Sequence, residues 1–357
     1  MSAGLATTVP LASPHAHAGS SVSWVMAKVM LALTPATLYG FWLYGWPAVH
    51  LWWITIAAAL LGEAFCLRLM RRPLRPALFD GSAALTGWLL ALSLPPWAPA
   101  WLGVLGGLFA TIVAKQLFGG LGQNLFNPAM VARVALLVSF PVAMTQWIAP
   151  VPLGSAGAPD FAEGLRITLA GAPSLDAIAS ASLLGHAKTE LSRGVDLLQA
   201  NLPALSFVGE RAGSLGETSA LLLLLGGIAL ILMRIITWHI PAAMLVGLAL
   251  PALIAHALDP ARHLSAATHL LSGAAMLGAF FIATDYVTSP NTRLGQLIFG
   301  LGCGLLTWLI RSYGGYPEGV AFAVLLMNAA TPAIDRLIRP RIYGRDLKGR
   351  PLEIPEA

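Results

Sequence analysis

Four carboxylate side chains lie in or beside long apolar runs, where a charge is costly. Glu63 lies inside one run, and Asp285 directly follows another, LGAFFIAT. Asp80 precedes a third run and Asp335 ends a fourth. A carboxylate near hydrocarbon costs a few kcal/mol or more, so it usually faces a cavity, a partner or an ion path. These residues are candidates for carrying a cation, although capping or snorkelling is the simpler account of the three at the ends of runs.

A second group of reactive side chains lies in the segment SLDAIASASLLGHAKTEL, residues 174–191. Asp176, Ser180 and Ser182 form its centre, among small residues. This polar, hydroxyl-rich composition contrasts with the apolar runs that make up most of the chain. The segment therefore belongs outside the hydrocarbon interior, and its residues alone leave its purpose open.

A third candidate is the stretch KQLFGGLGQNLFNPAMVARV, residues 115–134, the densest in glycine and amide side chains. Its glycines permit tight turns, and Gln123, Asn124 and Asn127 offer side-chain hydrogen bonds. Pro128 suits the first turn of a following helix. No Lys-Ser/Thr pair follows the glycines as in a nucleotide P-loop, so close packing is the alternative to ligand binding.

The composition indicates an integral membrane protein. Of 357 residues, 57% are hydrophobic and 10% are charged, and the mean hydropathy is +0.74. The net charge of +5 is not clustered on a soluble face, which argues against a nucleic-acid partner. The first 23 residues lack a basic start followed by a short apolar core, so no cleaved signal peptide is predicted. Cys66 and Cys303 lie in separate apolar runs, where free thiols are expected rather than a disulfide or a metal site.

Ten membrane spans are predicted from the apolar runs, because a helix crosses the hydrocarbon core with about 20 residues. Several runs are shorter than this and are flanked by proline or glycine. The predicted spans are residues 24–45, 47–69, 79–94, 98–117 and 127–147, then 219–237, 239–258, 267–284, 295–312 and 319–337. The polar stretch 150–218 divides them into two groups of five.

The distribution of Lys and Arg predicts that both termini are cytoplasmic, because cytoplasmic loops carry an excess of basic residues. With the N-terminus inside, the cytoplasmic side collects Arg68, Arg71, Arg72, Arg75, Lys115, Arg234, Arg293 and the basic residues of 336–350. The predicted organisation is a cytoplasmic N-terminal segment (1–23), a first membrane repeat (24–149), an external loop (150–218), a second membrane repeat (219–337) and a basic cytoplasmic tail (338–357).

The two groups of spans share a pattern. Residues 80–96 followed by 105–120 parallel residues 272–290 followed by 300–315. Each copy runs from a glycine with small residues, through a proline break, into a Gly-rich helix that ends near Gly-Gly. Five spans per half invert the second copy relative to the first, and inverted repeats with broken helices are typical of transporters. The alternative is that Gly-rich helices recur only because they pack closely.

Three motifs carry a resemblance that covers residues from about 24 to 350. KQLFGGLGQNLFNPAMVARVALLVSFPVAM, GAFFIATDYVTSPNTRLGQ and SYGGYPEGVAFAVLLMNAATPAIDR resemble the RnfD family of membrane proteins, which belong to ion-translocating ferredoxin:NAD oxidoreductases called Rnf complexes. They are similar, more distantly, to NqrB of the sodium-translocating NADH:quinone oxidoreductase. The resemblance implies an all-α, urea-transporter-like fold in a bacterial inner membrane. It also implies that the A, B, C, E and G components of an Rnf complex are partners, the G component carrying FMN of its own.

The resemblance further implies a covalent flavin on the outward, periplasmic loop. In the family, FMN is joined through its phosphate to the hydroxyl that ends a motif of the type Asp-Gly-x-Ser/Thr-Gly-Ala-Thr. The equivalent stretch here is DAIASAS, from Asp176 to Ser182, in which Ala177 and Ser180 replace the glycines and Ala179 the inner hydroxyl residue. The acceptor is therefore expected at Ser182, with Ser180 as the second choice. Small neighbours would let a modifying enzyme reach the hydroxyl, and Asp176 could position Mg²⁺ or act as a general base.

Family relatives also hold a non-covalent riboflavin in the membrane domain, and their ion-path acids match Asp285, Asp335 and, more weakly, Asp80. The implied function is a subunit that relays electrons through flavin and couples their flow to movement of Na⁺ or H⁺. No iron–sulfur cluster motif or nucleotide-binding fold is present, so the chain alone should not turn over ferredoxin or NAD. Two alternatives stay open: an inverted-repeat solute channel or transporter without a redox cofactor, and a scaffold whose loop only docks partners.

Overall fold

A computed structural model describes residues 21–171, 179–180, 182–200, 202, 207, 209, 212–339 and 350, and this part of the chain is almost entirely helical. Its α-helices are α1 (Val22–Tyr44), α2 (Trp46–Leu69), α3 (Leu74–Leu78), α4 (Ser82–Ser93), α5 (Ala100–Ile112), α6 (Pro128–Ser139), α7 (Pro141–Thr145), α8 (Phe161–Ala170), α9 (Leu183–Ser192), α10 (Ala220–Leu232), α11 (His239–Leu258), α12 (Ala266–Leu271), α13 (Ala275–Leu277), α14 (Arg293–Tyr313) and α15 (Val320–Leu337). Short 3₁₀ helices cover Gln116–Phe118 and Leu215–Glu217, and a π-helix covers Gly278–Ile282. Strands β1 (Trp147–Ile148) and β2 (Ala179–Ser180) pair antiparallel.

Six helices in the described residues are long and apolar enough to cross a membrane. They are α1, α2, α5 with its extension to Phe118, α11, α14 and α15. These correspond to six of the ten predicted spans. The predicted spans at 127–147 and 219–237 contain the shorter helices α6 and α10, of 12 and 13 residues.

The remaining two predicted spans, 79–94 and 267–284, are a short helix and a broken one. Helix α4 ends at Ser93, just before Pro95 and Pro96, because proline lacks the N–H that would continue the helix. The second span is interrupted after α12 by Gly273, whose φ of 65° lies in the left-handed region. Both breaks fall in the segments that the sequence pairs as repeats.

Side chains at helix starts explain where several elements begin. The Asn127 Oδ1 accepts a hydrogen bond from the N–H of Met130 at 3.3 Å, and Pro128 occupies the first turn of α6, as predicted. Thr292 caps α14 in the same way, through the N–H of Gly295 at 3.1 Å. The glycine- and amide-rich stretch 115–134 thus ends in a capped helix start.

Glycines hold corresponding helix pairs together in the two halves. A Cβ added at Gly107 of α5 would lie 2.7 Å from the carbonyl oxygen of Thr55 in α2. A Cβ added at Gly300 of α14 would lie 2.7 Å from the carbonyl oxygen of Ile240 in α11. The second and fourth predicted spans of each half therefore pack backbone against backbone.

The connector between the two groups of spans is folded and lies against the turn between α1 and α2. The N–H of Val151 donates to the carbonyl of Leu43 at 3.0 Å, and the N–H of Leu153 donates to that of Trp42 at 2.7 Å. Gly164 of α8 packs against Trp46, where a Cβ would lie 2.7 Å from the Trp46 Cβ. The region predicted as an external loop thus contains two helices, α8 and α9, held on the membrane helices.

Candidate functional site

Ser182, the predicted flavin acceptor, is the N-cap of α9. Its Oγ accepts a hydrogen bond from the N–H of Gly185 at 3.2 Å, and the residue is 8% exposed. Ser180 belongs to β2, where its backbone pairs with Trp147. Asp176 lies outside the described residues. Ser182 is thus a hydroxyl at a helix N-terminus, where free N–H groups and the helix dipole favour an anionic group.

A small pocket with an empty volume of about 270 Å³ adjoins Ser182. Its walls come from the connector and the second half: Ser182, Leu183, Leu184, Ala212, Glu217, Ser272 and Gly273. The Glu217 carboxylate accepts a hydrogen bond from the Ser214 hydroxyl at 2.8 Å. Burial and the neighbouring Glu318 carboxylate raise the pKa of Glu217 to about 6. Ser182 therefore shares its pocket with a carboxyl group that can hold a proton close to neutral pH.

A buried ion pair adjoins the same pocket. Arg311 Nη2 lies 3.0 Å from both carboxylate oxygens of Glu318, and Arg311 Nη1 donates to the carbonyl of His269 at 2.6 Å. Arg311 Nη2 also donates to the carbonyl of Ser272 at 3.1 Å, and Glu318 accepts from the N–H of Ala274 at 3.0 Å. Removing either partner would leave a buried charge uncompensated. The pair therefore fixes the chain that forms one wall of the Ser182 pocket.

A second buried ion pair lies in the first half. Lys115 Nζ is 2.6 Å from Glu63 Oε1, and the two side chains are 2% and 1% exposed. Gln116 Nε2 donates to the same oxygen at 2.6 Å, while the other acceptor atoms, Glu63 Oε2 and Gln116 Oε1, have no partner within the described part of the chain. Lys115 Nζ also donates to Ser82 Oγ at 2.6 Å, and Ser82 Oγ donates to Asp80 Oδ1 at 2.5 Å. A continuous polar chain thus runs from Glu63 to Asp80.

This polar chain opens on a large cavity between the two halves, with an empty volume of about 760 Å³ including the space at its mouth. Mostly apolar side chains line it, among them Met26, Leu85, Phe280 and Phe281. The polar side chains on its wall are Ser82, Thr86, Lys115, Asn124, Asn127, Thr284 and Asp285. The stretch 115–134 and the broken helices of both halves therefore meet at one cavity.

The predicted ion-path acids occupy different surroundings. Asp285 is on the cavity wall, where its carboxylate accepts from the N–H of Val287 at 3.2 Å and the hydroxyl of Thr288 at 3.3 Å. Asp80 reaches the cavity through Ser82. Asp335 is not among the lining residues, and its Oδ1 accepts from the N–H of Asn291 at 3.3 Å. The fold brings Asp80 and Asp285 to one cavity and leaves Asp335 apart.

Several charged residues of these sites were not selected from the sequence. Lys115 was counted as a cytoplasmic basic residue, whereas it is buried and paired with Glu63. Arg311, Glu318 and Glu217 received no role. The one available signal was position: Lys115 and Arg311 each end a Gly-rich run shortly before Gly-Gly, in the two segments that repeat.

Comparison with known proteins matches residues 10–344 to the NQR2, RnfD, RnfE family. The chain is 54% identical over 346 residues to the RnfD-type component of the ion-translocating oxidoreductase complex of Halorhodospira halophila, covering 96% of this chain and 97% of that protein. It is 56% identical over 339 residues to the component of the same name from Stutzerimonas stutzeri, covering 93% and 95%. The corresponding protein of Rhodobacter capsulatus is 50% identical over 307 residues, covering 85% of each chain.

Proposed function

The chain belongs to the NQR2, RnfD, RnfE family, and from this premise we propose that it is the flavin-carrying membrane subunit of an Rnf-type ion-translocating oxidoreductase complex. In this role it relays electrons through FMN attached to Ser182 and couples their flow to movement of Na⁺ or H⁺. The observation that carries the proposal is the position of Ser182. The residue at the acceptor position of the family motif is a hydroxyl at the start of a helix, in a connector that lies on the membrane helices.

Ser182 suits a phosphate ester for two reasons. A primary hydroxyl can form a bond to phosphorus, and the N-terminus of α9 stabilises the negative charge of a phosphate group. The Ser182 oxygen already points at this N-terminus, because it accepts a hydrogen bond from Gly185. When bound, FMN supplies the redox centre, while the protein supplies its position and electrostatic environment.

In-gel fluorescence of the denatured full-length protein, expressed together with a flavin-attaching enzyme, tests this assignment. We expect a fluorescent band in the wild type and in Ser180→Ala, and no band in Ser182→Ala. A band lost in Ser180→Ala but kept in Ser182→Ala would move the acceptor to Ser180. A wild-type protein without fluorescence would reject the covalent flavin. The mass of the peptide 174–191 identifies the attached group as FMN.

We assign a non-covalent riboflavin to the large cavity between the halves. Apolar and aromatic walls with a few polar groups are typical of cofactor sites. Phe280 and Phe281 offer apolar surface to a ring system, and Asn124 and Asn127 offer hydrogen bonds to its polar edge. The glycine- and amide-rich stretch 115–134 then serves ligand binding as well as packing.

We further propose that the membrane part consists of ten spans in two inverted five-helix repeats. Corresponding contacts in the two halves support this architecture. Lys115, at the end of one Gly-rich segment, donates to the Ser82 hydroxyl at the start of α4. Arg311, at the end of the other, donates to the Ser272 carbonyl at the start of the second broken segment. Both cations are buried and both pair with a carboxylate, Glu63 in one half and Glu318 in the other.

The proposed cation path uses the acids of the inner region. Asp80, Ser82 and Lys115 form a polar chain to the cavity, Asp285 lies on its wall, and Asp335 is a separate site near Asn291. Coupling requires that the redox state of the flavins change the relative stability of two conformations, because a cofactor with equal affinity for both shifts nothing. The interface between the halves, where cavity and polar chain meet, is the place where such a change would alter access to the path.

We propose the bacterial inner membrane as the location, with both termini cytoplasmic and the connector 150–218 periplasmic. The proposed partners are the A, B, C, E and G components of the complex, and above all the FMN-carrying G component, which would exchange electrons with the flavin on Ser182. The chain acts only within the complex.

The cavity between the halves also supports a second candidate, an inverted-repeat solute channel or transporter without a redox cofactor. It predicts flux of a small polar solute in proteoliposomes that contain the flavin-free Ser182→Ala protein. Flux in that preparation favours the channel; a flavin band in the wild type together with absence of flux favours the redox role.

A further inference from the structure

One lysine fastens helix α9, which begins just after Ser182, to the end of α14. Lys188 Nζ donates to the carbonyl oxygens of Gly314 at 2.6 Å, Tyr316 at 2.5 Å and Ile310 at 3.3 Å. These carbonyls lie at the C-terminal end of α14, where backbone acceptors need partners outside the helix and the helix dipole is negative. A single ammonium group therefore satisfies three acceptors and complements the dipole. We call this contact the Lys188 clasp.

The clasp covers the face of α9 that is turned inward. Leu184 is 6% exposed and Ala187 is 1% exposed. Packing beneath the helix is incomplete, however, because cavities with empty volumes of about 270 and 350 Å³ adjoin Leu184. Side chains that line a void lose part of their dispersion contacts. The docking of α9 therefore depends on the Lys188 clasp more than on close packing.

We propose that Lys188 positions the flavin acceptor by holding α9 in a docked state that closes off Ser182, and that flavin transfer requires α9 to undock. This inference rests on the proposed role of Ser182 as acceptor. A hydroxyl that is 8% exposed and capping its own helix is not accessible to the active site of a transferring enzyme. Release of Lys188 from the three carbonyls frees the helix and exposes the hydroxyl.

The transfer itself is a phosphoryl substitution without redox change. The Ser182 oxygen forms a bond to the flavin-side phosphorus of a flavin dinucleotide, and the pyrophosphate P–O bond breaks. The nucleoside monophosphate leaves with the electron pair, and the hydroxyl proton passes to a base of the transferring enzyme. Afterwards the clasp returns α9, now carrying FMN, to a defined place on the second half of the molecule.

A cysteine reporter measures undocking without any flavin. Ala187→Cys places a small thiol on the buried face of α9, and its rate of alkylation by a maleimide in the solubilised full-length protein follows the undocked population when opening is fast. Replacing Lys188 with Met should raise this rate at least about tenfold, because loss of one charged hydrogen bond already accounts for such a factor. Lys188→Arg should restore a rate close to that of the parent. The parent chain without the reporter measures the background from the buried Cys66 and Cys303.

Arg193→Met is the matched control, since Arg193 lies at the end of the same helix with a side chain that is 68% exposed. It should leave the alkylation rate unchanged. The same Lys188 and Arg193 substitutions, without the reporter, are then compared in the initial rate of flavin transfer with added transferase and flavin dinucleotide. Lys188→Met should raise the transfer rate by a factor similar to that for alkylation. Gel filtration of each variant separates undocking of α9 from unfolding.

An alkylation rate that does not change in Lys188→Met would overturn the clasp. Faster alkylation without faster transfer would overturn the requirement for undocking. If the wild type accepts no flavin under any condition, the proposed function and the undocking requirement fail together, whereas alkylation still decides whether Lys188 holds α9.

Discussion

At the scale of single residues, the dominant feature is pairs of opposite charges in an apolar surrounding. Glu63–Lys115 and Arg311–Glu318 are both largely withdrawn from water, and both are surrounded by additional hydrogen bonds. An isolated charge there would be expensive, but a pair with additional hydrogen bonds is tolerated. Such pairs connect different segments of the chain, so they stabilise one particular arrangement of the helices.

The Glu63–Lys115 pair predicts a specific non-additive effect on stability. Lys115→Met leaves Glu63 ionised and buried, so the free energy of unfolding should fall by about 3–5 kcal/mol. The double variant Glu63→Gln/Lys115→Met removes both charges and should be more stable than the sum of the two single changes indicates. Thermal unfolding of the four proteins in one detergent provides the cycle. Additive effects would show that the two charges do not interact.

Glu217 predicts a pH dependence of stability. Its ordinary pKa of 4.5 applies to the unfolded chain, whereas in the fold burial and Glu318 raise the pKa to about 6, against the opposing charges of Arg133 and Arg311. Between these values the folded state binds more protons than the unfolded state, so stability falls as pH rises from about 4.5 to 6. The total loss corresponds to about 2 kcal/mol.

Glu217→Gln removes this titration. Unfolding midpoints measured from below the ordinary pKa of Glu217 to above neutral pH should fall less for the variant than for the wild type, and the difference should arise below neutral pH. Parallel profiles for the two proteins would contradict the assignment. Arg166→Gln, which alters an exposed side chain, serves as the control and should follow the wild type.

At the scale of helices and strands, short and broken elements create the sites. Helix α4 stops before two prolines, and the corresponding segment of the second half divides into α12, α13 and a π-helix. A continuous helix satisfies its own backbone groups and presents a uniform wall, whereas a break leaves room and polar groups between neighbours. The large cavity lies beside both breaks. The paired long helices, α2 with α5 and α11 with α14, form the rigid surroundings.

The glycine contacts of those long helices predict where bulk is not tolerated. A Cβ at Gly304 would overlap the carbonyl oxygen of Met244 and the backbone of Gly247 and Leu248, so Gly304→Ala must force α11 and α14 apart. We expect a loss of about 1–3 kcal/mol, the usual effect of overpacking. Gly315→Ala is the control, because a Cβ there meets no atom within 4 Å. Equal melting temperatures for the two variants would contradict the close approach of the helices.

At the scale of the whole molecule, the connector links the two halves and docks on both. It joins the first half at the α1–α2 turn, through Val151 and Leu153, and the second half at the end of α14, through Lys188. Asn328 adds a link between the halves themselves, since it accepts from the N–H of Asn127 and donates to the carbonyl of Thr288, each at 3.1 Å. A movement of one half is therefore transmitted both to the cavity and to the helix that follows Ser182.

The proposed orientation is tested with two exposed positions on the two predicted sides. Leu198→Cys lies in the connector, with Leu198 71% exposed, and Arg339→Cys lies at the start of the basic tail. In intact cells stripped of the outer membrane, an impermeant maleimide should label Leu198→Cys, and it should label Arg339→Cys only after the membrane is opened. The reverse pattern would place the connector in the cytoplasm and overturn its role as an external electron carrier. Labelling of the parent chain reports any contribution of Cys66 and Cys303.

The sequence by itself determined that this is a helical membrane protein, which family it belongs to, and where its helices begin and break. Hydropathy, capping by Asn127 and the proline break after Ser93 act over a few residues, so they can be read from neighbouring positions. Tertiary structure alone decided that Lys115 pairs with Glu63, that Glu217 lies beside Ser182, and that Lys188 reaches the end of α14. These contacts join segments distant in the chain, and the free energy of burying a charge depends on the partner that packing brings to it. The same Lys115 that reads as one more cytoplasmic charge in the sequence is therefore, in the fold, the centre of a buried polar chain.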